Sequence, residues 1–232
     1  PNASLAYSSL YTASVKGGES GVADVAGNRL VTDYTWSFTT SGPPPPLPDE
    51  GPGGPILVIA DAENPFGRYY AEILRNEGLN EFTVTDISLL TSEALSTYDV
   101  VLLAELSRTL TADEVTMLTS WVIMGGNLIA MRPDTQLAGL LGLTRTTGVL
   151  PASGTLNAYL LINTNTSPGQ GLVDQTIQYH GLADLYDLNG AASLATLYSS
   201  ATISTTHPAI SLNSVGTNGG DAAAFAYDLA RS

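Results

Sequence analysis

The distribution of proline divides this sequence in two. Seven of its thirteen prolines lie between Ser41 and Pro55, where four glycines also occur. Consecutive prolines favour the polyproline II conformation, which rises ~3.1 Å per residue and forms a semi-rigid spacer. The sequence therefore predicts a linker over residues 43–55, between one module at residues 1–42 and a second at residues 56–232. We expect the second module to continue beyond residue 232 in a longer protein.

The excess of acidic over basic side chains limits the kinds of partner that the protein can bind. There are 22 acidic and only 8 basic side chains, which gives a formal net charge of −14. Nucleic acids are bound by clustered Lys and Arg, which are scattered here, so we expect no nucleic-acid binding. No stretch approaches ~18 uninterrupted apolar residues, so we expect no membrane insertion. The chain has no cysteine, which excludes disulfides and thiolate chemistry. An acidic composition poor in Lys favours an extracellular or cell-surface location.

Residues 1–42 predict β structure. The segments at residues 10–15 and 34–38 alternate between two faces, which is typical of half-buried strands. Between them, residues 24–28 read DVAGN, a sequence suited to a turn. The succession YTASV, DVAGN and TWSFTT resembles the C-terminal half of the bacterial Ig-like domains found in S-layer and other surface proteins. The resemblance covers about forty residues, whereas an Ig-like sandwich needs roughly 100.

Three aromatic residues of this module share one face of the predicted second strand. They are Tyr34, Trp36 and Phe38. A sheet of about three strands is too small to bury them and leaves its strand edges unpaired. We therefore expect contacts from outside residues 1–42 to cover these side chains.

Residues 56–143 alternate between predicted strands and helices. The run ILVIA at residues 56–60 is typical of a strand buried on both faces. Thr111 and Glu114 have the spacing of a capping box at the start of a helix. Further strands are predicted at residues 82–87, 100–104 and 127–131, with helices beginning near residues 66, 91, 111 and 136. From residue 149 the sequence is rich in strands, at residues 158–163 and 193–198 and in a hairpin of residues 209–212 with 223–229.

This order predicts an α/β fold, with a doubly wound, mostly parallel flavodoxin-like sheet. The motifs ILVIAD, YDVVLL and LTSWV followed by GGNLIAM resemble the class I glutamine amidotransferase-like superfamily. The resemblance is to the divergent domains of this superfamily that large secreted bacterial proteins carry, as in N,N-dimethylformamidase-like proteins. The resemblance covers roughly residues 56–143 and implies a fold and a lineage rather than an activity.

The residues expected to perform amidotransferase chemistry are missing. In catalytic members of that superfamily a Cys occupies a glycine-flanked turn after the fourth strand, and a His with a nearby Glu activates it. Here the corresponding turn, residues 130–134, reads AMRPD, without Cys, Ser or Thr. Neither His180 nor His207 is followed by Glu two positions later. We therefore predict an ordinary strand-to-helix turn and a pseudoenzyme.

Charged side chains follow each predicted parallel strand, at the edge where such sheets bind ligands. They are Asp61, Glu63, Asp86, Glu105, Arg132 and Asp134. One interpretation is a hard-cation or polyol site, with Asp61 and Glu63 as ligands of Ca²⁺. The alternative is that these carboxylates cap helices and face solvent. Calcium is the one possible cofactor, although the loop lacks the spacing of an EF-hand.

Arg132 and His180 are the remaining candidates. Arg132 either pairs with a neighbouring carboxylate, Glu105 or Asp134, or binds an anionic ligand with its guanidinium. His180 either lines a pocket or makes a structural hydrogen bond beside Tyr179.

The sequence thus predicts a non-catalytic fragment of a large secreted or cell-surface bacterial protein, with a role in assembly or ligand binding. Its expected partners are other copies or other domains of that protein, with a glycan as a possible ligand. The alternative is a hydrolase of amides or glycans that uses Asp61, Glu63 and Glu105.

Overall fold

The computed structural model of the chain describes residues 5–42, 53–151 and 157–231. These fall into two compact units, Pro1–Pro45 and Pro46–Ser232. Most of the predicted linker, residues 43–52, lies outside the described residues. Among the described residues, no helix has the length and apolarity needed to cross a membrane.

The first unit is a two-stranded antiparallel sheet, formed by β1 (Leu10–Val15) and β2 (Tyr34–Thr39). The predicted turn is confirmed, because the Asp24 carboxylate accepts hydrogen bonds from the amides of Ala26 and Asn28. The aromatic residues of β2 do share one face. The described residues leave them exposed, however, with Trp36 at 44% and Phe38 at 40% of full accessibility.

The second unit begins with the predicted alternation of strands and helices, and most boundaries agree closely with those expected. Its strands and helices in chain order are β3 (Ile56–Ala60), α1 (Tyr69–Asn76), β4 (Phe82–Asp86), α2 (Ser92–Leu95), β5 (Val100–Leu103), α3 (Ala112–Ile123) and β6 (Asn127–Met131). The helix expected near residue 136 is only a 3-10 turn, Thr135–Leu137. The capping box of α3 is confirmed. The Glu114 amide donates to Thr111 Oγ1 at 3.2 Å, and the Thr111 amide donates to Glu114 Oε2 at 2.8 Å.

The rest of the second unit contains strands and no α-helix among the described residues. These strands are β7 (Leu143–Leu150), β8 (Asn157–Ile162), β9 (Ile177–His180), β10 (Ala183–Leu188), β11 (Ala192–Ser200), β12 (Ile203–Val215) and β13 (Gly220–Phe225). The predicted hairpin is confirmed as β12 and β13, in which Leu212 lies opposite Ala223. Strands β7 and β10 form a separate two-stranded antiparallel sheet.

The main sheet has nine strands in the order β4-β3-β5-β6-β13-β12-β11-β8-β9. The first five are parallel to one another, and the last four join by antiparallel pairing. The expected doubly wound, flavodoxin-like α/β fold is therefore wrong: the sheet is mixed and the unit is mostly β. The physical reason is that helical crossovers stop at β6. The later strands connect through hairpins and loops, which need no helix and produce antiparallel neighbours.

The sheet is buried on both faces over its parallel half. Helix α1 covers one face, where Tyr70 and Leu74 pack with Val58 and Phe82. On the other face, Leu118 and Val122 of α3 belong to the larger core cluster, together with residues of β7 and β10. Burial on both faces explains why β3 and β5 are almost wholly apolar, since parallel strands are covered on both sides.

Candidate functional site

The candidate site lies at the carboxyl ends of the parallel strands. The loops after β3, β5 and β6 meet there, because parallel strands bring their carboxyl ends to the same edge. A cleft of about 330 Å³ opens at this edge, bordered by Glu105, Ser107, Arg108, Arg132 and Asp184 among others.

Arg132 follows β6 with a left-handed backbone, at φ +38°. Its amide donates to the Phe225 carbonyl at 2.8 Å, which extends the pairing of β6 with β13 by one residue. A side chain with a Cβ in this conformation costs about 1 kcal/mol relative to ordinary backbone. The expectation of an ordinary turn at residues 131–133 is therefore wrong: the turn is strained, and a cationic residue occupies its strained position.

The guanidinium of Arg132 lies between two carboxylates. Its Nη1 is 2.8 Å from Glu105 Oε1, and its Nε is 3.4 Å from Asp184 Oδ2. All three side chains are largely buried, at 22% exposure for Arg132 and 16% for each partner. The predicted pairing with Glu105 is confirmed. The role predicted for Asp134 is instead taken by Asp184, on β10.

Further arginines extend this arrangement in both directions. Arg145 on β7 donates to Asp184 Oδ1 at 3.0 Å. Arg231 Nε lies 3.3 Å from Glu105 Oε2 and 3.3 Å from Asp228 Oδ2. We call these three arginines and three carboxylates the arginine–carboxylate chain; its members are Arg145, Asp184, Arg132, Glu105, Arg231 and Asp228. Its positive and negative charges are equal in number, so the arginine–carboxylate chain carries no net charge.

Two carboxylates of the arginine–carboxylate chain, Glu105 and Asp228, differ in their surroundings. Burial raises the pKa of the Glu105 carboxyl, although the neighbouring Arg132 and Arg231 act in the opposite direction. Asp228 accepts a hydrogen bond from the hydroxyl of the buried Tyr70, on α1. Burial, and then the negative charge of Asp228, raise the pKa of that hydroxyl far above its usual value. Tyr70 is therefore a hydrogen-bond donor at every physiological pH.

The loops after β3 and β5 are tied to each other by Asp61 and Asn64. Asp61 Oδ2 accepts from both the amide and the hydroxyl of Ser107, each at 2.6 Å. Asn64 Nδ2 donates to the Glu105 carbonyl, also at 2.6 Å. Burial tends to raise the pKa of the Asp61 carboxyl, but the hydrogen bonds from Ser107 and from the loop amides outweigh it and hold the pKa below its usual value.

The other predicted residues at this edge cap short segments. Asp86 accepts from the amide and hydroxyl of Ser88 and from the Ala62 amide, and the bonds from Ser88 lead in lowering its pKa. Asp134 accepts from the amides of Leu110 and Gln136.

Glu63 and His180 contribute less. Glu63 is exposed, and its amide donates to Asp61. His180 is also exposed and lies on β9, the edge strand opposite β4. Its neighbour Tyr179 is buried and stacks on Tyr227, with ring centroids 4.6 Å apart.

The geometry does not assemble the expected calcium ligands. Over the described ranges, no three His, Cys, Asp or Glu side chains are grouped so that they could hold a metal ion. Both carboxylate oxygens of Asp61 are already used as acceptors. The capping interpretation thus accounts for Asp86 and Asp134. Asp61 instead is buried and ties two loops together.

Sequence reasoning missed the half of the site contributed by residues beyond β6. Arg145, Asp184, Asp228 and Arg231 lie on β7, on β10 and after β13, none of which was assigned a role. A signal was available in the scarcity of basic residues. The chain has only seven arginines, and three of them belong to the arginine–carboxylate chain.

Several solved structures are similar in fold to this chain. A cold-adapted β-galactosidase from Rahnella sp. R3 matches with a TM-score of 0.58 and 17% identity over 75% of this chain. This chain spans only 28% of that enzyme's length. A ThuA-like protein from Bacteroides uniformis matches with a TM-score of 0.56 and 11% identity, over 81% of this chain and 86% of its own. The mmIFT52 N-terminal domain matches with a TM-score of 0.53 and 15% identity, over 73% of this chain and 85% of its own.

At these identities the likeness concerns the fold alone. No protein with a curated description matches the sequence. A family model matches one part of the chain and agrees with the resemblance seen in the first module: residues 1–40 match the bacterial Ig-like domain.

Proposed function

We propose that this chain is a non-catalytic part of a larger secreted or cell-surface bacterial protein, with a role in assembly or ligand binding. The observation that carries the proposal is Arg132. It occupies the strained turn after the fourth parallel strand of the chain, where an amidotransferase-like enzyme would hold its nucleophile. Its guanidinium is bound on two sides, by Glu105 and Asp184. An amidotransferase-like ancestry of the second unit is part of the proposal, and this backbone conformation supports it.

The carboxylates at the site are also occupied. Glu105 and Asp184 each contact two guanidinium groups. A nucleophile or a general acid must be free to reach a substrate atom, whereas each of these carboxylates lies between two guanidinium groups. Freeing Asp184 would take from the largely buried Arg145 its one carboxylate partner among the described residues, which is costly.

The crevice between the loops after β3 and β5 is closed by hydrogen bonds. Ligands of open parallel sheets usually enter at the carboxyl ends of the strands, where the strand order reverses. The reversal lies between β3 and β5: the chain runs from β3 to β4 on one side, and then crosses to β5 on the other side of β3. Asp61 and Asn64 bridge this position to the loop after β5. This bridging supports a structural role for residues that the sequence offered as ligands.

The first unit supports the proposed extracellular or cell-surface location. Bacterial Ig-like domains occur in surface proteins, and an acidic composition poor in Lys fits such a setting. The partners we propose are other copies or other domains of the same protein.

A hydrolase remains the second candidate, because of Glu105. Its carboxyl borders the 330 Å³ cleft together with Asp184, and burial raises its pKa, as in many general acids. Two carboxylates beside a cleft are the minimum that glycoside hydrolysis requires.

A substrate screen separates the two candidates. The full chain is incubated with p-nitrophenyl esters, anilides and glycosides, and turnover is compared with that of Glu105→Gln. Glu93→Gln, which changes an exposed carboxylate on α2, serves as the matched control. We expect no turnover above buffer in any of the three proteins. Turnover that is lost in Glu105→Gln and kept in Glu93→Gln would establish the hydrolase instead.

A further inference from the structure

A second concave site lies away from the arginine–carboxylate chain, on one face of the main sheet. The strand register defines its floor. Ala223 lies beside Ile129 of β6 on one side and Leu212 of β12 on the other, and Phe225 lies beside Ile210. Residues that face each other across paired strands point to the same side of a sheet. These five side chains therefore form one continuous apolar floor.

The loop between β8 and β9 turns this floor into a pocket. Pro168 and Leu172 of that loop line the cavity, together with Ile162 at the end of β8 and Leu194 of β11. This open pocket has a volume of about 410 Å³. Ligand pockets in proteins usually measure roughly 300–1,000 Å³ and are lined mostly by apolar side chains. The size and lining of this pocket suit a small molecule.

Asn127 and Asp221 border one end of the pocket, whose walls are otherwise almost wholly apolar. Asp221, at the amino end of β13, lies beside Asn127 of β6 and opposite Ser214 of β12 in the register of the sheet. Its Oδ1 accepts a hydrogen bond from the Ser214 hydroxyl at 2.9 Å. Among the described residues no Lys, Arg or His forms an ion pair with Asp221. This distinguishes it from Glu105 and Asp184, each of which contacts two arginines.

We infer that this pocket binds a small amphiphile with an apolar body and a protonated amine. The apolar body lies on the floor formed by β6, β13 and β12, beneath the loop between β8 and β9. The ammonium group faces Asp221; among the residues that the structure describes, no other charged residue lines the pocket. Charge complementarity excludes the opposite polarity, because an anionic head would meet the Asp221 carboxylate in a protein of net charge −14. The inference does not depend on the function proposed for the other site.

Three ligands with the same alkyl chain test this inference. Octylamine, 1-octanol and octanoate are titrated into the full chain and followed by isothermal calorimetry and NMR chemical shifts. We expect octylamine to bind about tenfold more tightly than 1-octanol, as for one partly desolvated ion pair, and octanoate not to bind measurably. The shifts induced by octylamine should map to β13, to β12 and to the loop between β8 and β9.

Two substitutions separate the charge from the apolar floor. Asp221→Asn should reduce the affinity for octylamine about tenfold, to that of 1-octanol, without changing the affinity for 1-octanol. Ala223→Leu fills the floor between Ile129 and Leu212 and should weaken both ligands at least tenfold. Asp113→Asn, at an exposed carboxylate on α3, is the charge-matched control and should bind like the unsubstituted chain.

The outcomes decide the matter in either direction. Equal binding of octylamine and octanoate, no binding of any of the three ligands, or an octylamine affinity unchanged by Asp221→Asn would overturn the inference. If Ala223→Leu fails to fold, as judged by its melting curve, Asp221→Asn still decides, because it alters charge with little change in volume.

Discussion

Arg132 combines two features that oppose each other in free energy. Its backbone is strained, and its side chain forms ion pairs with Glu105 and Asp184 in a largely buried position. Strained residues persist only where their surroundings hold them in place. The two ion pairs and the hydrogen bond from its amide to Phe225 supply that restraint.

Replacing Arg132 separates these contributions. We expect Arg132→Ala to lower the free energy of unfolding by about 2 kcal/mol, because two largely buried carboxylates lose a shared cation. Arg132→Gly should be less damaging than Arg132→Ala by about 1 kcal/mol, because glycine adopts positive φ without strain. Urea denaturation measures both.

The order of these two variants is the diagnostic result. At most positions glycine destabilises more than alanine, since it enlarges the entropy of the unfolded chain. Arg108, which pairs with Glu114 and has no left-handed backbone, should follow that ordinary order and serves as the control. Glycine proving worse than alanine at residue 132 would contradict the strain described here.

Asp61 makes stability depend on pH. Its folded-state pKa is lowered, so its contribution is fully present above the unfolded-state value of ~3.8 and is lost as pH falls below that value. We expect Asp61→Asn to be less stable than the parent chain at pH 7 and to lose less stability between pH 5 and pH 2.5. Thermal unfolding across that range measures the difference. Parental pH dependence in Asp61→Asn would argue against the bridge to Ser107.

Among the strands and helices, β13 of the β12–β13 hairpin packs unusually close to the end of α3. Gly220 begins β13, and a Cβ built on it would lie 1.9 Å from the Val122 carbonyl of that helix. Backbone cannot move aside as the end of a flexible side chain can. The close approach of strand and helix therefore requires glycine at this position.

Gly220→Ala tests that approach. We expect it to lower the free energy of unfolding by about 2–3 kcal/mol, since the helix and the strand must separate to admit a methyl group. Gly139→Ala is the matched control, because nothing lies within 4 Å of the added Cβ and no positive φ is involved. It should change stability by less than about 0.5 kcal/mol in denaturant titrations. Equal effects of the two substitutions would refute the close contact.

The elements up to β6 could be predicted because their signals are local. The apolar run of β3, the capping box at Thr111 and Glu114, and the glycines after α3 each lie within a few residues of what they specify. The placement of β13 beside β6 has no such signal, because it depends on pairing between distant segments. The same holds at the site: Glu105 and Arg132 follow strands that could be recognised, whereas Asp184 reaches them only through the tertiary arrangement of β10.

At the scale of the whole molecule, the second unit contains its own core. Both apolar clusters are built from residues at or beyond position 56, on the two faces of the main sheet. The first unit has two strands and exposed aromatic residues. Stability of the second unit should therefore be independent of the first.

Deleting residues 1–52 checks this independence. We expect the remaining chain to unfold cooperatively, with a melting temperature within about 2 °C of the parent, because no core residue is removed. Deletion of residues 220–232 is the contrasting variant. It removes a central strand and should abolish the cooperative transition. A fall of more than roughly 10 °C in the first variant, seen by circular dichroism, would show that the second unit depends on the first.

The position of β13 also has a consequence for synthesis on the ribosome. It is the last strand among the described residues, yet it lies in the middle of the sheet, between β6 and β12. Until it has been made, the newly synthesised parallel strands end in an open edge at Asn127–Met131, and the antiparallel strands have nothing to join. Unpaired apolar edges of this kind are prone to aggregation, and pairing distant segments is slow. Productive folding of this sheet therefore has to wait for β13, and that interval is when a chaperone would have most to protect.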